Sequence, residues 1–379
     1  MKKNIYVDGF YGFNNLGDDY ILESILHTLA KIPEVDKISI LSKKNTYNSF
    51  QKKYRFSCIE KKRFPLSFLQ KIQLIRKCDY YIIGGGGLFP SDKYILILFY
   101  YLSIMVAKLF HKKVCIYGVD IVKIKKKSTK RLWKKIIKNI DFLISRDKET
   151  KDALSFINQD LQRKIFASSD ITFCLDDDIN EVKRENNSIL WALASPFSPE
   201  ELQTENYKLR YKLLKKNIID CILKYPYYEH EFLPFYYDND ISLIKEIVSE
   251  IPSSIKVKIL EYDDSSNKRT LFKDRKLCIC MRFHSVVFAL YERVNFVSIS
   301  YAPKIERLLK SVGLSNLFVM YGVRENDNYG VELDLDNSFE TLVDYGLNNS
   351  NFDIINSAHE ELIKLAKNAE EYIINWIIQ

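Results

Sequence analysis

A run of apolar residues long enough to cross a membrane is missing from this chain. The nearest, YILILFYYLSIMVAKLF at 94–110, holds three tyrosines and a lysine. It falls short of the roughly 20 residues a span needs, and it reads as a buried helix. Glycine and proline are scarce, at 12 and 9 of 379 residues, while 47% of the chain is apolar and 28% charged. That is ordinary globular material, enough for two domains. The seven cysteines are odd in number and form no C-x-x-C pair. They read as small buried hydrophobes in a reducing compartment, which argues against a disulfide framework or a zinc cluster. Cys278 and Cys280 alternate along a strand-like run and face one way, but two thiols alone make no metal site. The N-terminus, MKKNIYVDGF, has a basic start but no signal-peptide core. No G-K-[ST] follows a glycine loop and no G-x-G-x-x-G occurs, so a Walker loop and a dinucleotide fold are disfavoured.

Basic charge, in contrast, is abundant. The net charge is +8, and much of it sits in 51–77 and in KIKKKSTKRLWKKIIK at 123–138. Neither stretch is a recognisable nucleic-acid module, so no nucleic-acid partner is expected. Anionic small molecules or an anionic bilayer remain candidates.

The chain alternates between strand and helix patterns, beginning with NIYVD, a glycine-bearing loop, a helix over about 18–30 and a strand at 36–42. The alternation continues through strands at 79–84, 113–121 and 141–147. The polar stretch DDDINEVKRENNS at 176–188 reads as a linker. A second α/β unit then opens at 189–195. Its central strand is 276–282, followed by a helix at 285–294, a strand at 295–301, and a helix that proline opens and glycine closes at 303–313. The fold class expected is therefore α/β, with two Rossmann-like domains facing across a cleft. The domains fall at 1–178 and 186–345, and a C-terminal helix at 355–379 packs back on the first. Ligands in such sheets bind at the carboxyl ends of the strands.

Five elements lie at such ends. The loop DGFYGFNNLGDD presents Gly12, Asn15 and Gly17, and Asp18 either caps the next helix or bonds an acceptor hydroxyl. The run IIGGGGLF places Gly85 and Gly86 where something approaches the backbone closely. Arg146 ends an apolar strand and needs a partner, Asp147 or a ligand, and Asp170 sits at another strand end. Arg282 ends the strand KLCICMR, with His284 and Ser285 opening the next helix. There an imidazole can exchange protons and the helix end favours an anion. Tyr301 ends the following strand, and Lys304 lies in a helix first turn, where a cation opposes the dipole unless an anion is near.

These elements, in this order over residues 5–315, resemble the polysaccharide pyruvyl transferase family. GFYGFNNLGDD matches its opening motif. RFHSVVFAL and SYAPK match its R-x-H-S-x-x-F-A and Y-x-P-K motifs. WALASPF departs from it, since many relatives carry an arginine after that strand. The resemblance implies a fold similar to GT-B glycosyltransferases. It implies transfer of the pyruvyl group of phosphoenolpyruvate onto a sugar of a bacterial surface polysaccharide as a ketal, with release of phosphate. It implies His284 and Asp18 as catalytic groups, with Arg282, Lys304 and Arg146 as cations for the donor. Ser285, Tyr301, Gly12, Asn15, Gly17, Gly85, Gly86 and Asp170 line the site. Phosphoenolpyruvate is the donor substrate, with no further cofactor and no metal. The expected partners are a sugar acceptor, lipid-linked in many such pathways, and a membrane surface met peripherally; a homo-oligomer stays open. The expected location is cytoplasmic, at the inner face of the membrane. Two other readings stay open. One is a GT-B glycosyltransferase using a nucleotide sugar, with Glu306 as a ribose-holding carboxylate. The other is a non-catalytic sugar-binding protein of envelope assembly.

Overall fold

Runs of β-branched and aromatic residues form strands wherever both faces of a sheet are covered, because each such strand then buries apolar side chains on both sides. The structure, a computed structural model, describes all residues except 1, 44–46, 90–92, 122–123, 158, 176–186, 199, 262–267 and 321–334. The chain divides into two units, Met1–Asp177 with Leu362–Gln379, and Asp178–Glu361. Of the stretch 176–188 read as a linker, residues 176–186 lie outside the described residues.

In the first unit, β1 (Lys3–Asp8) leads into α1 (Leu16–Ala30) and β2 (Val35–Ser42). Then come α2 (Asn48–Lys53), β3 (Ser57–Glu60), α3 (Leu66–Lys77), β4 (Tyr80–Gly86) and α4 (Tyr94–Leu109). The unit continues with β5 (Lys113–Val119), α5 (Lys127–Asn139), β6 (Phe142–Ser145), α6 (Lys148–Ile157) and β7 (Ile165–Ala167). The strands pair in parallel in the order β3-β2-β1-β4-β5-β6-β7. Val7 lies between Ile40 and Ile82, so the middle of the sheet is apolar on both sides of β1.

The second unit repeats the plan. It runs β8 (Ser188–Ala192), α7 (Glu205–Lys224), β9 (Glu229–Phe232), α8 (Tyr237–Glu250) and β10 (Val257–Ile259). Next are β11 (Leu277–Cys280), α9 (Phe283–Tyr291), β12 (Phe296–Ser300), α10 (Pro303–Ser311) and β13 (Phe318–Met320). α11 (Leu335–Asn348) and α12 (Phe352–Ile378) close the chain. The sheet order is β10-β9-β8-β11-β12-β13, again parallel throughout. Cys280 of β11 pairs with Ala192 on one side and Ser298 on the other. β11 is therefore interior, as its apolar run demands. Burial pushes the Cys280 thiol up to about 12 and the Cys278 thiol well up, so both are inert core groups.

Residues 362–379 count with the first unit. Lys31 pairs with Glu370 at 3.0 Å, and the Trp376 ring stands edge-on to Tyr80 and Phe142. One expectation is corrected here. The run 94–110 does form a helix, α4, but it is buried on one side only. Ile95 and Leu109 are 62% and 72% exposed.

Candidate functional site

In both sheets the strand order reverses at one place, between β1 and β4 and between β8 and β11. Connections diverge to opposite faces at such a point and leave a crevice at the carboxyl ends. The residues named from the sequence lie at these two switch points and at the strand ends beside them.

At the first, Asp8 ends β1 and is buried. It accepts a hydrogen bond from the Tyr81 hydroxyl at 2.7 Å and pairs with Lys71 at 2.6 Å. The loop after it turns through Gly12 to Asn15, whose side-chain oxygen accepts from the Gly17 N–H at 3.2 Å and so caps α1. Asn15, not Asp18, is therefore the cap; the Asn15 amide donates to Asp18 at 2.6 Å. Gly85 and Gly86 end β4 with φ of 68° and 73°. A Cβ on Gly85 would meet Ile21 of α1 at 1.9 Å, and one on Gly86 would meet the Asp18 carboxylate at 3.1 Å. The glycines thus let α1 press onto the strand end, and they bring Asp18 to its edge.

Beside them stands a charged triad. Arg146, after β6, donates to Asp120 at 2.7 Å and faces Asp170 at 3.5 Å. All three are buried. Asp170 also accepts from the Thr172 N–H and hydroxyl, at 3.0 and 2.8 Å. The Asp120 N–H bonds to the Gly86 carbonyl at 3.1 Å, which ties the triad to the switch point. The Asp147 carboxylate accepts from the Thr150 N–H at 2.6 Å and caps α6.

At the second switch point, Arg282 occupies the N-cap position of α9. Its guanidinium clamps Asp240, with Nε donating at 3.2 Å and Nη2 on the other carboxylate oxygen, while Nη1 donates to the Tyr301 hydroxyl at 3.1 Å. The face of Tyr236 lies 5.8 Å away. Asp240, in the first turn of α8, is fully buried and also accepts from the Tyr236 N–H at 2.8 Å. Burial opposes the charge on Arg282, but Tyr301 and Asp240 outweigh it and hold the guanidinium protonated above the ordinary arginine range. Ser285 is buried and donates to the Arg282 carbonyl at 2.6 Å, so it secures the turn. His284 is half-buried in the first turn of α9, edge-on to Phe283 at 5.3 Å. Lys304 of α10 lies 5.6 Å over the same Phe283 ring. Glu306 pairs with Lys310 along α10.

The structure therefore assembles Arg282, His284, Ser285, Tyr301 and Lys304 around one pair of helix starts. It brings Gly12, Asn15, Gly17, Asp18, Gly85 and Gly86 together around another, with Arg146 and Asp170 beside them. Asp8, Asp120 and Tyr236 escaped the sequence reading, and Asp240 was not recognised as a partner of Arg282. For the three aspartates the local signal is an acidic residue at a strand end or in a helix first turn; Tyr236, just before α8, carries none. Among the described residues, no group of three or more His, Cys, Asp or Glu could hold a metal ion.

The sequence matches the family profile described as polysaccharide pyruvyl transferase over residues 15–303. No curated protein matches it. Solved structures are similar over nearly the whole chain. The UDP-GlcNAc 2-epimerase of Neisseria meningitidis, bound to UDP-GlcNAc, aligns with a TM-score of 0.64 at 10% identity, covering 100% of both chains. The UDP-GlcNAc 2-epimerase of Methanocaldococcus jannaschii, in complex with UDP-GlcNAc and UDP, gives 0.60 at 15% identity, again with 100% of both chains. A glycosyltransferase of Rickettsia africae gives 0.58 at 13% identity, covering 100% of this chain and 97% of its own. Two parallel sheets with these neighbours make a GT-B type double Rossmann-like fold.

These findings correct what the resemblance implied about chemistry. Phosphoenolpyruvate as donor, pyruvyl transfer as reaction and phosphoenolpyruvate as partner do not stand beside neighbours that handle UDP-GlcNAc. The site supplies a physical reason. Arg282 and Arg146, expected to meet a phosphate and a carboxylate, are already neutralised by Asp240 and by Asp120 with Asp170. Kinship and donor are separate questions, since one fold carries many reactions. On the match over residues 15–303, the chain belongs to the polysaccharide pyruvyl transferase family.

Proposed function

We propose that this protein is an enzyme acting on a nucleotide-activated sugar of the UDP-N-acetylhexosamine class. The observation that carries the reading is the end-to-end likeness to two UDP-GlcNAc 2-epimerases. The reaction is epimerisation or transfer of that sugar. Epimerisation comes first because the likeness to the epimerases exceeds that to the glycosyltransferase.

The second unit is the nucleotide side. α9 and α10 begin at the carboxyl ends of the adjacent strands β11 and β12. The positive ends of both helices thus lie along one edge, which suits a diphosphate. The Arg282–Asp240–Tyr301 clamp fixes the start of α9 and so sets the position of His284. Inverting a carbon that bears hydrogen requires a proton to be taken and returned, and His284 is the group there able to do either near neutral pH.

The test combines calorimetry with NMR. UDP and UDP-GlcNAc are expected to bind. UDP-GlcNAc held with the protein in deuterated water is expected to exchange hydrogen at the inverted carbon, or to release UDP when an acceptor sugar is present. His284→Ala should lower turnover by roughly 10²–10⁴-fold and leave UDP bound. Absence of heat with both nucleotides, together with phosphate release from phosphoenolpyruvate, would overturn the reading.

A further inference from the structure

α4 is apolar on both of its sides. Ile97, Ile104 and Ala107 seal its inner side into the core beneath the sheet, together with Trp133 and Ile136 of α5. The outer side repeats at helical spacing through Ile95, Leu98, Leu102, Met105 and Leu109. Leu98 is half-buried and the other four are exposed. A surface helix in contact with water carries polar residues along that stripe. The apolar ground continues onto the start of α3. Phe64 stands edge-on to Phe99 of α4 at 5.7 Å and is itself 68% exposed, with Leu66 and Leu69 exposed nearby. So large an outward patch marks an interaction surface.

Cations rim it. α5 packs against α4 in the shared core, and its outward positions are Arg131, Lys134, Lys135 and Lys138. The sequence between Asp120 and Asp141 holds no carboxylate at all. Exposed Lys61, Lys62 and Arg63 precede α3, and exposed Arg76 and Lys77 end it. The Arg76 guanidinium lies 5.3 Å over Phe110, just past the end of α4. Apolar ground therefore has positive charge on either flank.

We propose that the α3–α4–α5 face of the first unit docks on an anionic lipid bilayer and lies on its surface. The α4 stripe and Phe64 enter the headgroup–acyl boundary, and the lysines and arginines of α5 and the α3 ends meet lipid phosphates. Among the described residues no helix is long and apolar enough to cross a membrane, so contact is peripheral. A second copy of the chain fits the face poorly, because pairing two such faces brings α5 cations toward like charge. An anionic bilayer offers apolar depth and negative charge together.

Flotation of the full-length protein with vesicles tests this. Binding is expected to vesicles that mix phosphatidylcholine with phosphatidylglycerol, and not to phosphatidylcholine alone. Raising salt should weaken it. The triple variant Lys134→Glu, Lys135→Glu, Lys138→Glu should lose on the order of 100-fold in affinity. Leu102→Ser with Leu109→Ser should weaken binding while leaving circular dichroism and thermal midpoint unchanged, because both side chains face outward. Absence of vesicle binding, or equal binding to neutral and anionic vesicles, would overturn the proposal. So would a dimer in sedimentation that the Leu102→Ser, Leu109→Ser protein no longer forms, since a second copy would then cover the face.

Discussion

Arg282 and His284 stand two residues apart at the end of an apolar run. Arg282 serves the fold at the site's edge. Its charge is spent on Asp240 and Tyr301, and what it contributes is the position of α9. A double-mutant cycle separates this from ligand binding. Arg282→Met alone strands the buried Asp240 carboxylate and should cost about 3–5 kcal/mol in urea denaturation. Adding Asp240→Leu should recover most of that loss, since a matched apolar pair removes both charges. A ligand-binding arginine with no structural duty would show no recovery. The sequence placed Arg282 at a strand end, but not its partner. Asp240 lies 42 residues away, and no spacing rule links the two. A second residue-scale prediction concerns His230. Its ring is buried, taking a hydrogen bond from the Trp191 indole at 3.0 Å and lying 3.0 Å from the Tyr225 carbonyl. Burial lowers its pKa below the ordinary value of 6.5, and His359 shifts the same way, through burial and then Arg293. The unfolded chain therefore binds more protons between the folded pKa values and about 6.5. Stability from these rings is fully present above that pH and is lost as pH falls through the folded values. The urea midpoint should drop between pH 7 and pH 5, and His230→Gln should flatten the drop. An unchanged slope in that variant would remove His230 from the account.

At the scale of elements, the glycine run at the end of β4 shows why a strand end carries so little side chain. Gly85 has φ of 68°, and a Cβ there meets Ile21 at 1.9 Å. Gly85→Ala should cost about 2–4 kcal/mol, from the left-handed backbone and the overpacked contact with α1 together. Ile21→Ala in the same chain should return part of it, because the clash partner is gone; denaturant midpoints of the single and double variants decide. From sequence, the run promised close approach without naming what approaches. The answer is α1, which reaches it through a parallel pairing of β1 with β4 that no local pattern encodes. Long periodic segments were legible: α1 and α12 follow their apolar faces, and β11 its unbroken apolar run. β3 and β13 were not. β3 is four residues at a sheet edge with side chains only partly covered, and β13 is three residues at the other sheet's edge, so neither is long enough to alternate cleanly. α4 was legible as a helix and misjudged as buried, because an apolar composition does not say whether protein covers both sides.

On the scale of the whole molecule, the chain repeats one construction twice, a parallel sheet whose order reverses beside its first strand. Sequence alone determined the α/β alternation, the family, and the strand ends at which unusual residues collect, because these depend on local patterns of glycine, charge and apolar spacing. The tertiary structure decided the rest. It decided which strands are neighbours, and therefore that both glycine loops open at one switch point and that Arg282 opens at the other. It set Asp240 against Arg282, and Asp120 with Asp170 against Arg146, converting two candidate ligand cations into neutralised clamps. The physical reason is that a charge states its need in the sequence, while the group that meets the need is chosen by folding, across separations that local patterning cannot span.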